Sequence, residues 1–171
     1  METTKDEAYY FHQTPNDLCI KLIKEVPLVD GDSVLEPFKG EGAFFNNLPD
    51  NVFKDWTEIV DGRDYRDYHQ PIDWVISNPP FKLETKTGRV NSFFFLLNHY
   101  ASRVNKGIAF LGNDVVFGAL TPKRLLELQE KYDLFIHRII VCNVKKWRGR
   151  YFFIIFKKGK CDFYKPLIGS Y

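Results

Sequence analysis

The chain has 171 residues, of which 44% are hydrophobic and 27% are charged. This length and composition predict one globular domain and exclude a disordered or fibrous chain. The apolar runs are too short to span a bilayer, so we expect no membrane association. The start is polar, which predicts no signal peptide, and three scattered cysteines favour no disulfide framework. We therefore expect an intracellular protein.

The net charge of +2 is unevenly distributed along the chain. Residues 1–136 contain 15 Lys or Arg and 21 Asp or Glu, which gives −6, whereas residues 137–171 contain 9 and 1, which gives +8. A basic segment on an acidic body is a reason to consider nucleic acid as a partner. A solvated surface strand accounts for the same charges equally well.

Helices and strands alternate in the predicted order. The apolar spacing of 16–26, opened by Thr14-Pro15, predicts a first helix. Further helices are predicted over 43–48, 91–104 and 122–132, and strands over 33–35, 56–60, 72–77, 108–111, 135–144 and 151–156. This order predicts an open, mostly parallel sheet with helices on both faces and a C-terminal antiparallel hairpin. In such sheets ligands bind beyond the carboxyl ends of the strands.

A proline-rich tetrapeptide, Asn78-Pro79-Pro80-Phe81, follows the predicted strand 72–77. Proline has a fixed φ and no N–H, so this corner offers acceptors, the Asn78 side-chain oxygen and the Pro79 carbonyl, beside the flat face of Phe81. It suits a planar group that carries an NH2, such as the Watson–Crick edge of adenine. Taken alone, the motif is also compatible with a proline-terminated strand and a core phenylalanine.

The turn after the first predicted strand is Glu36-Pro37-Phe38-Lys39-Gly40-Glu41-Gly42. Its glycines permit a tight strand-to-helix turn and a close approach of a ligand to the backbone. The absence of a third glycine and the two glutamates disfavour a pyrophosphate and favour a zwitterionic or cationic ligand. The acidic residues Glu58, Asp61 and Asp64 follow the next predicted strand, where a carboxylate can bind a ribose diol. Ordinary surface charge explains at least one of them.

Together these motifs resemble the S-adenosylmethionine-dependent methyltransferases that act on an exocyclic amino nitrogen, above all the N6-adenine nucleic-acid methyltransferases. The resemblance covers about residues 11–156 and implies a Rossmann-like class I methyltransferase fold with a mostly parallel, seven-stranded sheet. It implies a catalytic corner made of Asn78, Pro79, Pro80 and Phe81. It implies S-adenosylmethionine as cofactor, bound by Phe11, Thr14, Glu36, Pro37, Gly40, Gly42, Glu58 and Asp64.

The resemblance also assigns individual roles. Glu58 would hold the ribose hydroxyls, Asp64 would contact the adenine N6 of the cofactor, and Phe11 and Thr14 would close over it. The implied topology puts the turn between the last two strands at the same edge as the catalytic corner. Cations with an interleaved tryptophan suit a phosphate backbone and a stacked base. The substrate-binding residues expected there are Lys145, Lys146, Trp147, Arg148 and Arg150.

The expected reaction is therefore methyl transfer to N6 of adenine in DNA or RNA. The alternatives are guanine N2 in RNA, a protein glutamine, or a catalytically inactive nucleic-acid-binding subunit with a methyltransferase-like fold. We expect residues 1–171 to form a single catalytic domain without a separate target-recognition domain. A partner protein or homo-oligomer would then supply target recognition. The four scattered histidines have no ligand spacing, so we expect no metal, and the polar loop 82–91 either orders over substrate or is a mobile connection.

Overall fold

The structure is a computed structural model that describes residues 13–85, 88–145, 147, 149–161 and 164–167. Its strands are β1 (Ser33–Glu36), β2 (Phe53–Trp56), β3 (Ile72–Ser77), β4 (Lys82–Thr85), β5 (Gly88–Asn91), β6 (Val104–Asn113), β7 (Leu134–Cys142) and β8 (Tyr151–Lys158). Its α-helices are α1 (Asn16–Ile23), α2 (Ser92–Ala101), α3 (Val115–Ala119) and α4 (Pro122–Tyr132). Short 3-10 turns lie at Phe45–Asn47, Ile59–Asp61 and Tyr65–Asp67.

Six strands form one sheet in the order β2-β1-β3-β6-β8-β7. The strands β2, β1, β3 and β6 are parallel, and β8 runs antiparallel to both β6 and β7. The strands β4 and β5 pair with each other in a separate two-stranded sheet, an antiparallel ribbon that directly follows the proline corner. The predicted α/β Rossmann-like class with a C-terminal antiparallel hairpin is thereby confirmed. Six strands make up the main sheet, and two more form the ribbon outside it.

Apolar side chains cover both faces of the sheet, because successive residues of a strand point to opposite sides. On one face, Cys19 and Leu22 of α1 pack in a cluster with Trp74 of β3 and Phe153 of β8. On the other face, the cluster contains residues from α2, α4 and the same central strands. The sheet is therefore a buried middle layer, and its carboxyl edge is left for ligands.

Two predicted boundaries are wrong in the segment that follows β1. The predicted strand 56–60 begins and ends too late, since β2 spans Phe53–Trp56 and Ile59–Asp61 form a 3-10 turn. The Glu58 side chain accepts the Val60 N–H and Gly62 ends the turn with a φ of 73°, which a strand would not allow. The predicted helix over 43–48 is reduced to the 3-10 turn Phe45–Asn47.

Candidate active site

A cavity of about 450 Å³ lies at the carboxyl edge of β1, β2 and β3. Nine of the residues expected at the site line it: Thr14, Glu36, Pro37, Gly40, Glu58, Asn78, Pro79, Pro80 and Phe81. Gly42 and Asp64 are outside its lining, and Phe11 lies outside the described residues. Segments far apart in the sequence thus meet in one concave site because parallel strands end at one edge of the sheet.

The turn after β1 is braced by its own backbone and by the segment after β2. The Lys39 N–H donates to the Thr57 carbonyl at 3.1 Å, and the Thr57 hydroxyl donates to the Pro37 carbonyl at 2.7 Å. Gly42 has a φ of 85°, and a Cβ there would approach the Asn46 amide nitrogen to 2.8 Å. Gly42 therefore shapes the turn without facing the cavity, and only glycine suits its backbone.

Glu36 ends β1 as a buried carboxyl group, with 2% of the residue exposed. It accepts the Phe45 N–H at 2.6 Å, yet burial raises its pKa to about 8. Burial therefore favours the protonated form of this carboxyl group at neutral pH. A cationic group bound beside it would favour the charged form, which agrees with the kind of ligand that the sequence predicts for this turn.

Glu58 follows β2 and links two strand ends. Its Oε2 accepts the Gly40 N–H at 2.8 Å, and its Oε1 accepts the Val60 N–H at 3.4 Å. One carboxylate thus holds the glycine turn against the 3-10 turn after β2. Because a carboxylate has further lone pairs, it can accept a ligand hydroxyl while it keeps the Gly40 bond.

Asp64 is engaged with its neighbour and does not line the cavity. Its carboxylate accepts the Arg66 backbone N–H at 2.9 Å and pairs with the Arg66 guanidinium, and this hydrogen bonding lowers the pKa of Asp64. The next residue, Tyr65, does line the cavity, and its ring lies 5.2 Å from that of Phe38. The aromatic wall is therefore supplied by Tyr65 and Phe38, which the sequence reasoning did not select.

The proline corner is fixed from both sides. The Asn78 amide nitrogen donates to the Thr14 hydroxyl at 3.1 Å. Ser92, the first residue of α2, donates its hydroxyl to the Pro80 carbonyl and its N–H to the Phe81 carbonyl, the latter at 3.2 Å. The segment before α1 and the start of α2 thus hold the corner between them.

A second cavity of about 230 Å³ adjoins the first and shares Pro79 and Phe81 with it. Its floor is apolar, with Phe93, Leu111 and Val116 among its lining residues. Polar side chains at Lys82, Asn91 and Asn113 also line it. Two compartments therefore meet at the proline corner, and Phe81, which is 36% exposed, belongs to both.

The turn between β7 and β8 lies at the same carboxyl edge, as the strand directions require. Trp147 is only 6% exposed, and its ring packs 4.5 Å from that of Tyr151. The expected stacking of Trp147 on a base disagrees with this burial: the Trp147 backbone N–H donates to the Val144 carbonyl at 2.9 Å, and the ring packs in the core cluster on one face of the sheet. Arg150 pairs with Asp114 at 3.4 Å.

The same turn carries three further basic residues, Lys145, Lys146 and Arg148. Lys145 is exposed, whereas Lys146 and Arg148 lie outside the described residues. Among the described residues of this turn, Lys145, Trp147, Gly149 and Arg150 line neither cavity. Within the ranges that the structure describes, no group of three or more His, Cys, Asp or Glu side chains is placed to hold a metal ion. None of the helices described there is both long and apolar enough to span a membrane.

Sequence reasoning missed several residues that line the larger cavity: Gln13, Phe38, Ile59, Tyr65 and Leu83. The Gln13 amide nitrogen is buried and has no hydrogen-bond partner among the residues that the structure describes, which is a costly state for a polar group. Its position next to the Thr-Pro motif was an available signal, as was the position of Ile59 directly after Glu58. Tyr65 and Leu83 gave no signal, because only the folded chain brings them to the cavity.

No model of a known protein family matches the chain, and no curated protein matches it by sequence. Solved structures do match. A protein of Listeria monocytogenes assigned to the class I S-adenosylmethionine-dependent methyltransferases superposes with a TM-score of 0.64 at 17% identity, over 91% of this chain and 64% of that one. The magnesium protoporphyrin IX methyltransferase of Synechocystis, solved with bound S-adenosylmethionine, gives 0.59 at 10% identity, over 93% and 86%.

A third match is the modification subunit of a proposed type I restriction enzyme from Vibrio vulnificus, with a TM-score of 0.60 at 14% identity. It is matched over 85% of this chain and 44% of that subunit. The chain thus spans less than two thirds of the Listeria and Vibrio proteins. At these identities the likeness establishes architecture, since one fold carries many chemistries. The chain has the α/β Rossmann-like fold of class I methyltransferases.

Proposed function

We propose that this chain binds S-adenosylmethionine in the larger cavity and transfers its methyl group to N6 of an adenine in nucleic acid. The observation that carries the proposal is the meeting of two cavities at the corner Asn78-Pro79-Pro80-Phe81. A methyl donor on one side and an acceptor amine on the other would then react across this corner. Structural neighbours that use S-adenosylmethionine support the choice of donor.

The side chains of the larger cavity fit that cofactor. Glu36 offers a buried carboxyl group to a cationic amine, and Glu58 offers carboxylate oxygens to the ribose hydroxyls. Phe38, Ile59 and Tyr65 supply an apolar and aromatic wall for a purine ring. The Gln13 amide nitrogen, for which the described ranges contain no hydrogen-bond acceptor, is a donor for a ligand oxygen. When bound, the cofactor supplies an electrophilic methyl group, whose bond to sulfur breaks as the acceptor nitrogen forms its new bond.

The chain itself contributes position and hydrogen-bond acceptors. An aromatic amine is a weak nucleophile because its lone pair is delocalised into the ring. Acceptance of its two hydrogens by the Asn78 Oδ1 and the Pro79 carbonyl favours a more tetrahedral nitrogen and orients the lone pair toward the larger cavity. Phe81 presents a flat face on which the base can stack. After transfer, the nitrogen loses one proton to water, and the donor leaves as the neutral thioether S-adenosylhomocysteine.

The proline corner is recessed beside the small second cavity, so only an adenine outside a duplex stack can enter. A base within a duplex cannot reach a recessed corner, so it must be flipped out or already single-stranded. Lys82 at this cavity and the exposed Lys145 on the β7–β8 turn are cations that can contact the flanking phosphates. These contacts would position the strand without reading its sequence.

The test is transfer of radiolabelled methyl groups to total DNA, total RNA and protein in parallel, followed by nucleoside analysis. We expect label in N6-methyladenine, and we expect Asn78→Ala to lower the rate about 100-fold or more while cofactor affinity persists. Asn105→Ala is a matched control, because Asn105 lies at the opposite end of the sheet beside Asp73. Label only in protein or only in guanine would replace adenine by that acceptor. An undiminished rate for Asn78→Ala would remove the role of the corner.

A further inference from the structure

Thr14 is a hydrogen-bond partner of Asn78, although the two lie 64 positions apart in the sequence. The bond runs from the Asn78 amide nitrogen to the Thr14 hydroxyl over 3.1 Å. Both residues line the larger cavity, and Thr14 is 6% exposed. This buried hydroxyl is therefore in contact with the side chain that the proposed reaction depends on.

Both the backbone and the side chain of Thr14 have little conformational freedom. Pro15 has a φ of −58° and is the N-cap of α1, and its carbonyl accepts the Cys19 N–H at 3.0 Å. A residue before proline is confined to extended backbone, and the branched Thr side chain has few rotamers. Since α1 is anchored in the core through Cys19 and Leu22, the hydroxyl is held in place before any ligand binds.

We propose that Thr14 is a positioning residue that orients the Asn78 amide for the acceptor amine. An asparagine amide can present either its NH2 or its oxygen, and only the oxygen can accept a hydrogen from an acceptor NH2. With the amide nitrogen bonded to Thr14, the oxygen is the end that can accept a hydrogen from the acceptor NH2, and its two lone pairs allow more than one such bond. This inference rests on the proposed function and assigns Thr14 a task beyond closing over the cofactor.

The kinetic test compares Thr14→Val, which keeps the shape and removes the hydroxyl, with Thr14→Ser, which keeps the hydroxyl. We expect Thr14→Val to lower kcat about 10-fold, a larger factor than the accompanying changes in the cofactor dissociation constant and in the KM for nucleic acid. Thr14→Ser should recover most of that loss. In an Asn78→Ala background, Thr14→Val should have no further effect, because the two residues act through one bond.

A measurement independent of activity follows the Asn78 side-chain NH2 signals by nuclear magnetic resonance, assigned from their loss in Asn78→Ala. We expect Thr14→Val to shift these signals and Thr14→Ser to leave them near their original position. The side-chain signals of Asn105, at the opposite end of the sheet, serve as the internal control. Unmoved Asn78 signals, or equal kcat losses in the Thr14→Val and Thr14→Ser variants, would overturn the inference. A wild-type chain that transfers no methyl group would overturn the proposed function, whereas the signals would still report on the Thr14 bond.

Discussion

The Glu58 carboxylate holds the Gly40 backbone N–H at 2.8 Å, so the acid after β2 fixes the turn after β1. This turn and this acid are expected to bind different parts of the same cofactor. Their direct bond means that neither is positioned independently. A change at Glu58 should therefore alter the glycine turn as well as the contact that Glu58 makes itself.

Glu58→Ala is expected to weaken binding of S-adenosylmethionine about 10-fold or more, because both the ligand contact and the Gly40 bond are lost. Glu58→Gln keeps an acceptor oxygen for Gly40 and should lose less. Titration calorimetry with S-adenosylmethionine and S-adenosylhomocysteine measures both. The control is Glu127→Gln, because the Glu127 carboxylate pairs with Lys131 on the surface of α4, away from the cavity. Equal affinities for Glu58→Ala and wild type would show that this acid is outside the binding site.

Because Glu36 is buried, we expect its contribution to the free energy of unfolding to fall as pH rises. A carboxylate whose pKa is lowered on folding has the opposite effect. Burial raises the pKa of Glu36 from 4.5 to about 8, so between these values the folded state keeps a proton that the unfolded state releases. The stabilising contribution is complete below the unfolded pKa and is lost as pH rises through the folded pKa. The slope is at most about 1.4 kcal/mol per pH unit.

Glu36→Gln removes this titration and keeps an oxygen for the Phe45 N–H. We therefore expect the difference in unfolding free energy between the variant and wild type to move in favour of the variant from pH 5 to pH 8. Denaturant unfolding at several pH values measures it. Bound S-adenosylmethionine should flatten the wild-type slope, because a cation near Glu36 lowers the pKa of its carboxyl group. If the unfolding free energies of Glu36→Gln and wild type changed in parallel with pH, the Glu36 carboxyl group would not have a pKa raised by burial.

Trp147 is expected to contribute to stability, since its ring is buried against Tyr151. Trp147→Ala should lower the unfolding free energy by about 3–5 kcal/mol, the usual cost of removing a large core side chain. Trp147→Phe, which keeps an aromatic ring in the same space, should cost less. Thermal unfolding measures both. An unchanged unfolding temperature for Trp147→Ala would restore the idea of an exposed ring that stacks on a base.

The parts of the site that the sequence predicts well are those carried by consecutive residues. The corner from Asn78 to Phe81 and the turn from Glu36 to Gly42 each follow a strand whose apolar pattern is strong, so their place at the carboxyl edge follows from topology. The boundary of β2 is difficult to predict from the sequence, because Ile59 and Val60 are apolar but exposed. Their 3-10 turn depends on a capping bond from Glu58 that hydrophobic patterning does not reveal.

The parts that the sequence could not predict depend on contacts between distant segments. Tyr65 reaches the cavity because the segment after β2 folds back over Phe38, which no local spacing indicates. The ribbon of β4 and β5 satisfies its backbone by its own pairing, so its polar composition was equally compatible with a loop. Trp147 shows the opposite case, in which charged neighbours predicted exposure and the turn buried the ring.

Replacing Gln13 by an apolar residue should change the affinity for the cofactor and the stability of the ligand-free protein in opposite directions. Its amide nitrogen is buried at the larger cavity, and no residue in the described part of the chain accepts its hydrogens. This costs free energy until a ligand oxygen accepts them. Gln13→Leu is therefore expected to weaken binding of S-adenosylmethionine about 10-fold and to stabilise the empty protein by about 1 kcal/mol. Calorimetry and thermal unfolding of the same samples measure the two effects. A variant that loses both affinity and stability would show that Gln13 serves packing, whereas a variant that keeps full affinity would show that its amide does not face the ligand.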